Sequence, residues 1–186
     1  KALMVHTADD LGNPGPDYQN GWGLINGRAA IDLLQGFVDQ PANLALQPIE
    51  LSDSNSEYRI NFTYDGSSSD IKATLVWIDP PGVAVDALNA TTPTLVHDLD
   101  LRISEETSTG TKSVITHEPF ILDRENPSTN ATTGDNVVDN VEQVIITTPS
   151  LSSEYELTVS AKVPFEMGQQ NAYLILSGQT MVTNID

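Results

Sequence analysis

From Leu44 onward, apolar and polar residues alternate. Tyr58, Ile60, Phe62 and Tyr64 are interleaved with Arg59, Asn61 and Thr63, the period-two pattern of a strand with one buried and one wetted face. Tyr155, Leu157, Val159 and Ala161 set against Glu154, Glu156, Thr158 and Ser160 repeat it more regularly. Ala73-Leu75-Trp77, Leu95-His97-Leu99-Leu101-Ile103, Val141 to Ile146 and Tyr173-Ile175 predict further strands, joined by turns rich in Gly, Ser, Asn and Pro. With Leu44 to Leu51 and Lys112 to Thr116 the count reaches about eight, and no helical pattern interrupts them. The prediction is a mainly β fold, an antiparallel jelly-roll sandwich or barrel. Two connections, Pro80 to Thr94 and Glu118 to Asn136, have the length of loops that carry function or remain mobile.

The first forty residues follow a different pattern. Ala2 to Thr7 reads as the end of a helix, and Asp9-Asp10-Leu11-Gly12-Asn13-Pro14-Gly15-Pro16 as a loop whose Gly and Pro forbid its continuation. After Gly21-Trp22-Gly23-Leu24-Ile25, Asn26 is placed to cap a second helix through Gly27 to Leu34, with Gly36 as its stop. Gln40-Pro41-Ala42-Asn43 is the expected boundary between a helical segment, 1–40, and a β-domain, 41–186. The opening Lys1-Ala2-Leu3-Met4-Val5 reads as an element already in progress, so a longer precursor is expected.

Charge narrows the choice of partner. Eight Lys and Arg against 26 Asp and Glu give a net −18. That surface repels phosphate backbones and anionic lipid, which argues against nucleic acid and membranes as partners and in favour of cations. No apolar run approaches the roughly 18 residues of a membrane span. There is no cysteine, hence no disulfide and no cysteine-based zinc or redox site. The sequons Asn61-Phe62-Thr63, Asn89-Ala90-Thr91 and Asn130-Ala131-Thr132 read as chance matches in a chain rich in Asn and Thr.

Thr7-Ala8-Asp9-Asp10-Leu11-Gly12, then Gly21-Trp22-Gly23-Leu24-Ile25-Asn26 and Ala29-Ala30, resemble the end of a subtilase catalytic domain, in the form T-A-x-D-x-G, G-W-G-x-[IV]-[ND] and a closing helix with paired alanines. Ala73-Thr74-Leu75-Val76-Trp77-Ile78-Asp79-Pro80, Leu95-Val96-His97-Asp98-Leu99-Asp100-Leu101, Asp139-Asn140-Val141-Glu142-Gln143-Val144 and Tyr155-Glu156-Leu157-Thr158-Val159 resemble the C-terminal β-domain of large alkaline subtilisins. The two resemblances come in the order that family requires. They imply the C-terminal region of a secreted, extracellular or periplasmic, bacterial subtilisin-like serine endopeptidase of the S8 family. Its partners would be the upstream catalytic domain of the same precursor and the protein substrates of the parent.

The resemblance also implies that the catalytic Asp, His and Ser precede this tail. No G-T-S-M-A motif occurs, and the nearest string, Ser108-Thr109-Gly110-Thr111-Lys112, lacks a nucleophile at the needed place. A serine acts only with a base in reach and an acid to orient it. His6, His97 and His117 read as structural, no catalytic residue is assigned, and this segment is expected not to be an enzyme.

One cluster carries chemistry. Asp98 and Asp100 are two apart, so on a strand both carboxylates leave from one face while Leu99 and Leu101 point into the core. Calcium takes six to eight hard oxygens, and Asp139, Asn140 and Glu142 offer more if their strand end lies nearby. The family resemblance implies a calcium site held by Asp98, Asp100, Asn140 and Glu142, with Asp139, Asp135 and Asn136 outside the assignment. The alternative is that the D-x-D string is the solvated face of an acidic strand. For the whole chain, the expectation is an accessory domain that stiffens the enzyme with calcium and shapes substrate access. The rival is a jelly-roll module binding carbohydrate or polypeptide, for which Phe120 and Phe165 are the aromatics expected in loops.

Overall fold

A computed structural model of the chain describes residues 1–39, 45–88, 90, 92–107, 113–151, 153–162, 164–179 and 181–185. The expected boundary at Gln40 to Asn43, Asn89 and Thr91 of the second sequon, and the string Ser108 to Lys112 lie outside the described residues.

The strands are β1 (Ala45–Ser52), β2 (Glu57–Thr63), β3 (Ile71–Trp77), β4 (Leu99–Thr107), β5 (Ser113–His117), β6 (Phe120–Ile121), β7 (Thr132–Thr133), β8 (Val141–Ile146), β9 (Ser153–Ala161), β10 (Gln169–Ser177) and β11 (Met181–Ile185). One antiparallel sheet runs β1-β10-β3-β8, a second β11-β2-β9-β4-β5, and β6 and β7 form a small hairpin of their own. Strands 1 to 4 and 8 to 10 alternate between the two large sheets, which is the jelly-roll order of interlocked Greek keys. The fold is therefore mainly β, as the alternation predicts. The barrel option is corrected: each sheet keeps its own two edges, so the fold is an open sandwich.

The inner faces meet in one core in which Trp77, Tyr155, Phe62, Leu101 and Leu174 are fully buried. Phe62 and Tyr155 stack across β2 and β9 with ring centroids 5.3 Å apart.

The strand expected from Leu95 begins at Leu99. The Asp79 carboxylate accepts from both Val96 N and His97 N at 2.8 Å, and Trp77 Nε1 donates to His97 O at 3.0 Å. Side chains thus take the bonds that a ladder would otherwise make. β10 is longer than its apolar triplet indicates, and β6, β7 and β11 were not expected.

Helices α1 (Ala2–His6) and α2 (Gly27–Asp39) are joined by the Gly/Pro loop. Asn26 caps α2 as expected, its Oδ1 accepting from Ala29 N at 2.9 Å. Gly36 does not stop the helix, which runs on to Asp39. Glycine inside a helix costs about 1 kcal/mol, and the continuation seats Phe37 with Leu3, Leu33 and Leu46 beside Ile175. Gly23 holds the turn before α2 at φ +100°, where a Cβ would collide with the carbonyl of Asp9.

The helical segment lies on the outer face of the β1-β10-β3-β8 sheet. Ala2 joins Val76, Val141 and Ile175 in a second apolar cluster flanked by Leu3, Val5, Trp22 and Leu33. His6 is buried there, Nδ1 2.9 Å from Thr74 Oγ1 and Nε2 2.8 Å from Ser177 Oγ. Away from the sheet, Leu24, Ile25, Ile31 and Val38 have 59 to 72% of their surface in contact with solvent, beside the exposed Arg28–Asp32 and Gln35–Asp39 pairs.

Candidate functional site

β4 carries the D-x-D string as its period dictates. Leu99, Leu101 and Ile103 are wholly buried between the sheets, so Asp98 and Asp100 leave by the other face. β5 pairs with β4 only from Ile103 onward, which leaves the first residues of β4 without a ladder partner on that side. Glu142, on β8, fills the gap by accepting from Leu101 N at 2.5 Å. Lys162, directly after β9, bonds its backbone N to Asp98 O at 3.2 Å and brings its ammonium into the same place.

The structure therefore brings together Asp98, Asp100 and Glu142 and adds Asp135. Lys162 Nζ lies 3.0 Å from Asp98 Oδ2, 3.3 Å from Asp100 Oδ1 and 2.5 Å from Asp135 Oδ1. Arg102 bonds Asp100 at 2.9 Å and Asp135 at 3.2 Å, and its other terminal nitrogen lies 3.8 Å from Glu142. With Glu118 Oε1 3.9 Å from Arg102 Nε, five carboxylates thus surround two cations. Burial raises the Asp100 pKa against the pull of Arg102 and Lys162. Burial also pushes Glu142 up to about 9, opposed by its bond from Leu101 N and reinforced by the charges of Asp100 and Asp98. For Lys162 burial works downward, but the bonds to Asp135 and Asp98 prevail and raise it.

Two buried oxygens in this cluster, Asp98 Oδ1 and Glu142 Oε1, have no hydrogen-bond partner among the described residues. A buried carboxylate oxygen left unpaired is disfavoured by about 1–3 kcal/mol or more, so such atoms are where a proton, a water or a cation is held. Oxygen-only donors of this kind suit calcium chemically. Geometrically, Arg102 and Lys162 stand among the carboxylates, and among the described residues no three His, Asp or Glu side chains already converge as a metal site. Calcium would share the cluster by displacing the Lys162 ammonium, with Asp98, Asp100, Asp135 and Glu142 as its ligands.

Asn140 is not drawn into this cluster. Its Nδ2 donates to Trp77 O at 2.9 Å and its Oδ1 accepts from Lys1 Nζ at 3.2 Å. Asp139 takes a long bond of 3.4 Å from Asn136 Nδ2, and Asn136 Oδ1 accepts from Val138 N and Asp139 N as a turn former. Sequence reasoning missed Arg102 and Lys162 and left Asp135 aside. The available signal was the scarcity of cations: with eight in the chain, Arg102 two positions past Asp100 calls for inspection, while nothing local points to Lys162.

Each histidine is held by a specific pair of groups or by one carboxylate. His6 sits between Thr74 and Ser177, and burial followed by the nearby Lys72 charge lowers its pKa to about 3, so the ring stays neutral. His97 Nδ1 meets Gln170 Oε1 at 2.6 Å, and its Nε2 accepts from Glu166 N at 2.8 Å. His117 Nε2 lies 3.1 Å from Glu105 Oε2, whose other oxygen accepts from Ser153 Oγ at 2.8 Å. Phe165, expected in a loop as a surface aromatic, is buried edge-on against His97. Phe120 is half-buried, and the exposed aromatics are Tyr18 and Tyr173.

Among the described residues, no helix is long and apolar enough to cross a membrane. Compared with models of known protein families and with curated protein sequences, the chain matches none.

Proposed function

We infer that this chain is the non-catalytic C-terminal part of a secreted subtilisin-like serine endopeptidase. Its helical segment completes and docks against the upstream catalytic domain, and its sandwich stiffens the enzyme with calcium at the Asp98/Asp100/Asp135/Glu142 cluster and shapes access of protein substrates.

The observation that carries this reading is the two-sided helical segment. One side is fixed to the sheet by Ala2, His6 and Trp22, while Leu24, Ile25, Ile31 and Val38 stay exposed. An apolar stripe on a surface helix that is wider than the face it buries marks an interface. The G-W-G turn and the paired alanines that resemble the end of a subtilase catalytic domain lie in this same segment. Calcium is supported by the two partnerless buried oxygens and by the excess of carboxylates over cations around them.

The parentage is tested by the coding sequence upstream of Lys1. A G-T-S-M-A motif within a few tens of residues is expected, and its absence overturns the reading. Calcium is tested separately with Lys162→Gln. Without its ammonium the carboxylates repel, so the variant is expected to melt below the native chain in a chelator and to recover when calcium is added. Binding of an ion to the folded state alone stabilises by about 2.7 kcal/mol at a hundred times the dissociation constant. A variant that calcium does not rescue would reduce the cluster to an internal ion-pair network.

A further inference from the structure

The long connection from Glu118 to Asn136, which carries β6 and β7, meets the Gly/Pro loop of the helical segment. Asn13 Nδ2 donates to Ser128 O at 3.0 Å and to Thr129 O at 3.1 Å, which ties the two loops together. Gly15, at φ +80°, lies against the ring of Phe120, and a Cβ there would come within 3.0 Å of Cε1. Asp17 stiffens the turn that follows. Its carboxylate accepts from the backbone N–H groups of Asn13, Gln19 and Asn20 and from Asn20 Nδ2, and its own backbone N and O bond Gly21 at 3.0 and 2.9 Å. The junction of the two loops is therefore built in advance of any ligand.

At this junction a cleft of about 240 Å³ is lined by Trp22 and Phe120, both half-buried, and by Lys1, Asp139 and Asn140. A second cavity of about 300 Å³ shares Leu122 and Asp139 with it and reaches the exposed Tyr18, so the two form one groove. Leu24, Ile31 and Val38 line neither. Asn140 is already engaged with Lys1 and Trp77 O, and Asp17 with its four donors. Three groups keep capacity to bond. Trp22 Nε1 donates to none of the described residues, the Asp139 carboxylate receives a single long bond, and Lys1 Nζ gives one bond while holding further hydrogens. The Lys1 ammonium and the Asp139 carboxylate offset each other, so the groove has no net charge to offer a charged ligand. An anion is moreover repelled by the net −18 of the chain, and a cation meets the ammonium. Aromatic walls beside donors and an acceptor match a neutral molecule with apolar faces and a rim of hydroxyls, since each hydroxyl both gives and accepts.

We propose that this groove binds a neutral oligosaccharide. One sugar ring sits against Trp22 and Phe120 with its hydroxyls on Trp22 Nε1, Lys1 Nζ and Asp139, and the chain of sugars continues toward Tyr18. Burial of the ring faces supplies the affinity, and the three polar groups fix the orientation. The site needs neither calcium nor the protease parentage proposed above.

The test uses the 186-residue chain with cellohexaose, mannohexaose and maltohexaose, and with hexalysine and hexagalacturonate as charged controls. Binding is followed by tryptophan emission and by titration calorimetry. At least one of the neutral sugars is expected to bind saturably and to shift the emission. Trp22→Phe keeps a ring but removes the N–H and the reporter, and is expected to abolish that shift, because the other tryptophan, Trp77, is buried in the core. Asp139→Ala changes an exposed side chain and is expected to weaken binding about tenfold without lowering the melting temperature, so it decides the matter if the Trp22 variant misfolds. Failure of all three sugars to bind at millimolar concentration, tighter binding of either charged control, an emission shift that survives in Trp22→Phe, or unchanged affinity in Asp139→Ala would each overturn the proposal.

Discussion

The two faces of the β1-β10-β3-β8 sheet are held by different means. Its inner face meets the opposite sheet through Trp77, Leu75, Leu174 and Leu101, a continuous buried apolar layer. Its outer face meets the helical segment through a smaller cluster around Ala2, Val76, Val141 and Ile175, and through one imidazole bonded on both nitrogens. An apolar layer of the first kind is lost only when the sandwich opens. A contact that rests on a smaller, mostly half-buried apolar cluster and one ring opens alone, because local opening requires only the free energy of the contacts it breaks. The lower face is therefore the scaffold, and the upper one is a docking that other conditions and other partners can shift.

Substitutions in the core separate the two most. Trp77→Ala removes a fully buried indole and its bond to His97 O, and is expected to lower unfolding stability by about 3–5 kcal/mol in a urea titration. Acid acts on the other face. His6 ionises at about 3 when folded and near 6.5 when free, so between those values the unfolded segment binds a proton that the folded one does not. Stability is intact above pH 6.5 and is lost as pH falls toward 3, by up to about 1.4 kcal/mol per pH unit. Amide exchange from 1–37 is expected to quicken across that window while Leu99 to Ile103 stays slow, and His6→Gln is expected to flatten the dependence. Equal acceleration in both regions would erase the distinction.

His6→Ala itself leaves Thr74 Oγ1 and Ser177 Oγ without their ring partner and is expected to destabilise by about 1–3 kcal/mol, confined to the helical segment. The smallest effect is expected from Val38→Asp, since this side chain is 72% exposed. In the chain by itself, the melting curve should move by less than about 0.5 kcal/mol. The same change in a precursor carrying the catalytic domain is expected to lower its thermal stability, and equal tolerance in both settings would deny the outward face a partner.

The elements that were legible in the sequence are those whose whole length obeys one period. Tyr155 to Ala161 alternates without exception, and β9 buries the odd positions and exposes or half-exposes the even ones. The Asn26 cap was legible because it acts on a residue three positions away. What escaped depends on contacts far apart in the chain. Asp79 ends the ladder expected at Leu95 from 17 and 18 residues away. Lys162 reaches Asp98 and Asp135 across separations of 64 and 27 residues, which no local spacing announces. The D-x-D string and Glu142 could be paired in advance only through a resemblance, because a period places side chains on a face without saying which loop will cross it. Gly36 was misread for the opposite reason: a local stop signal gave way to the packing of Phe37.

His6 also fixes an order of events. Its two partners lie 68 and 171 residues further along the chain, on β3 and at the last residue of β10. A ribosome releasing the chain from its amino end delivers the ring well before Ser177. Closing contacts of such long separation comes late, after the shorter loops have been drawn in. The helical segment therefore waits with part of its sheet-facing side unsatisfied, and it settles only when β10 has slotted between β1 and β3. Any neighbour that shields that side in the meantime acts as an intramolecular chaperone, and refolding from denaturant without one is expected to show the segment docking as its final phase.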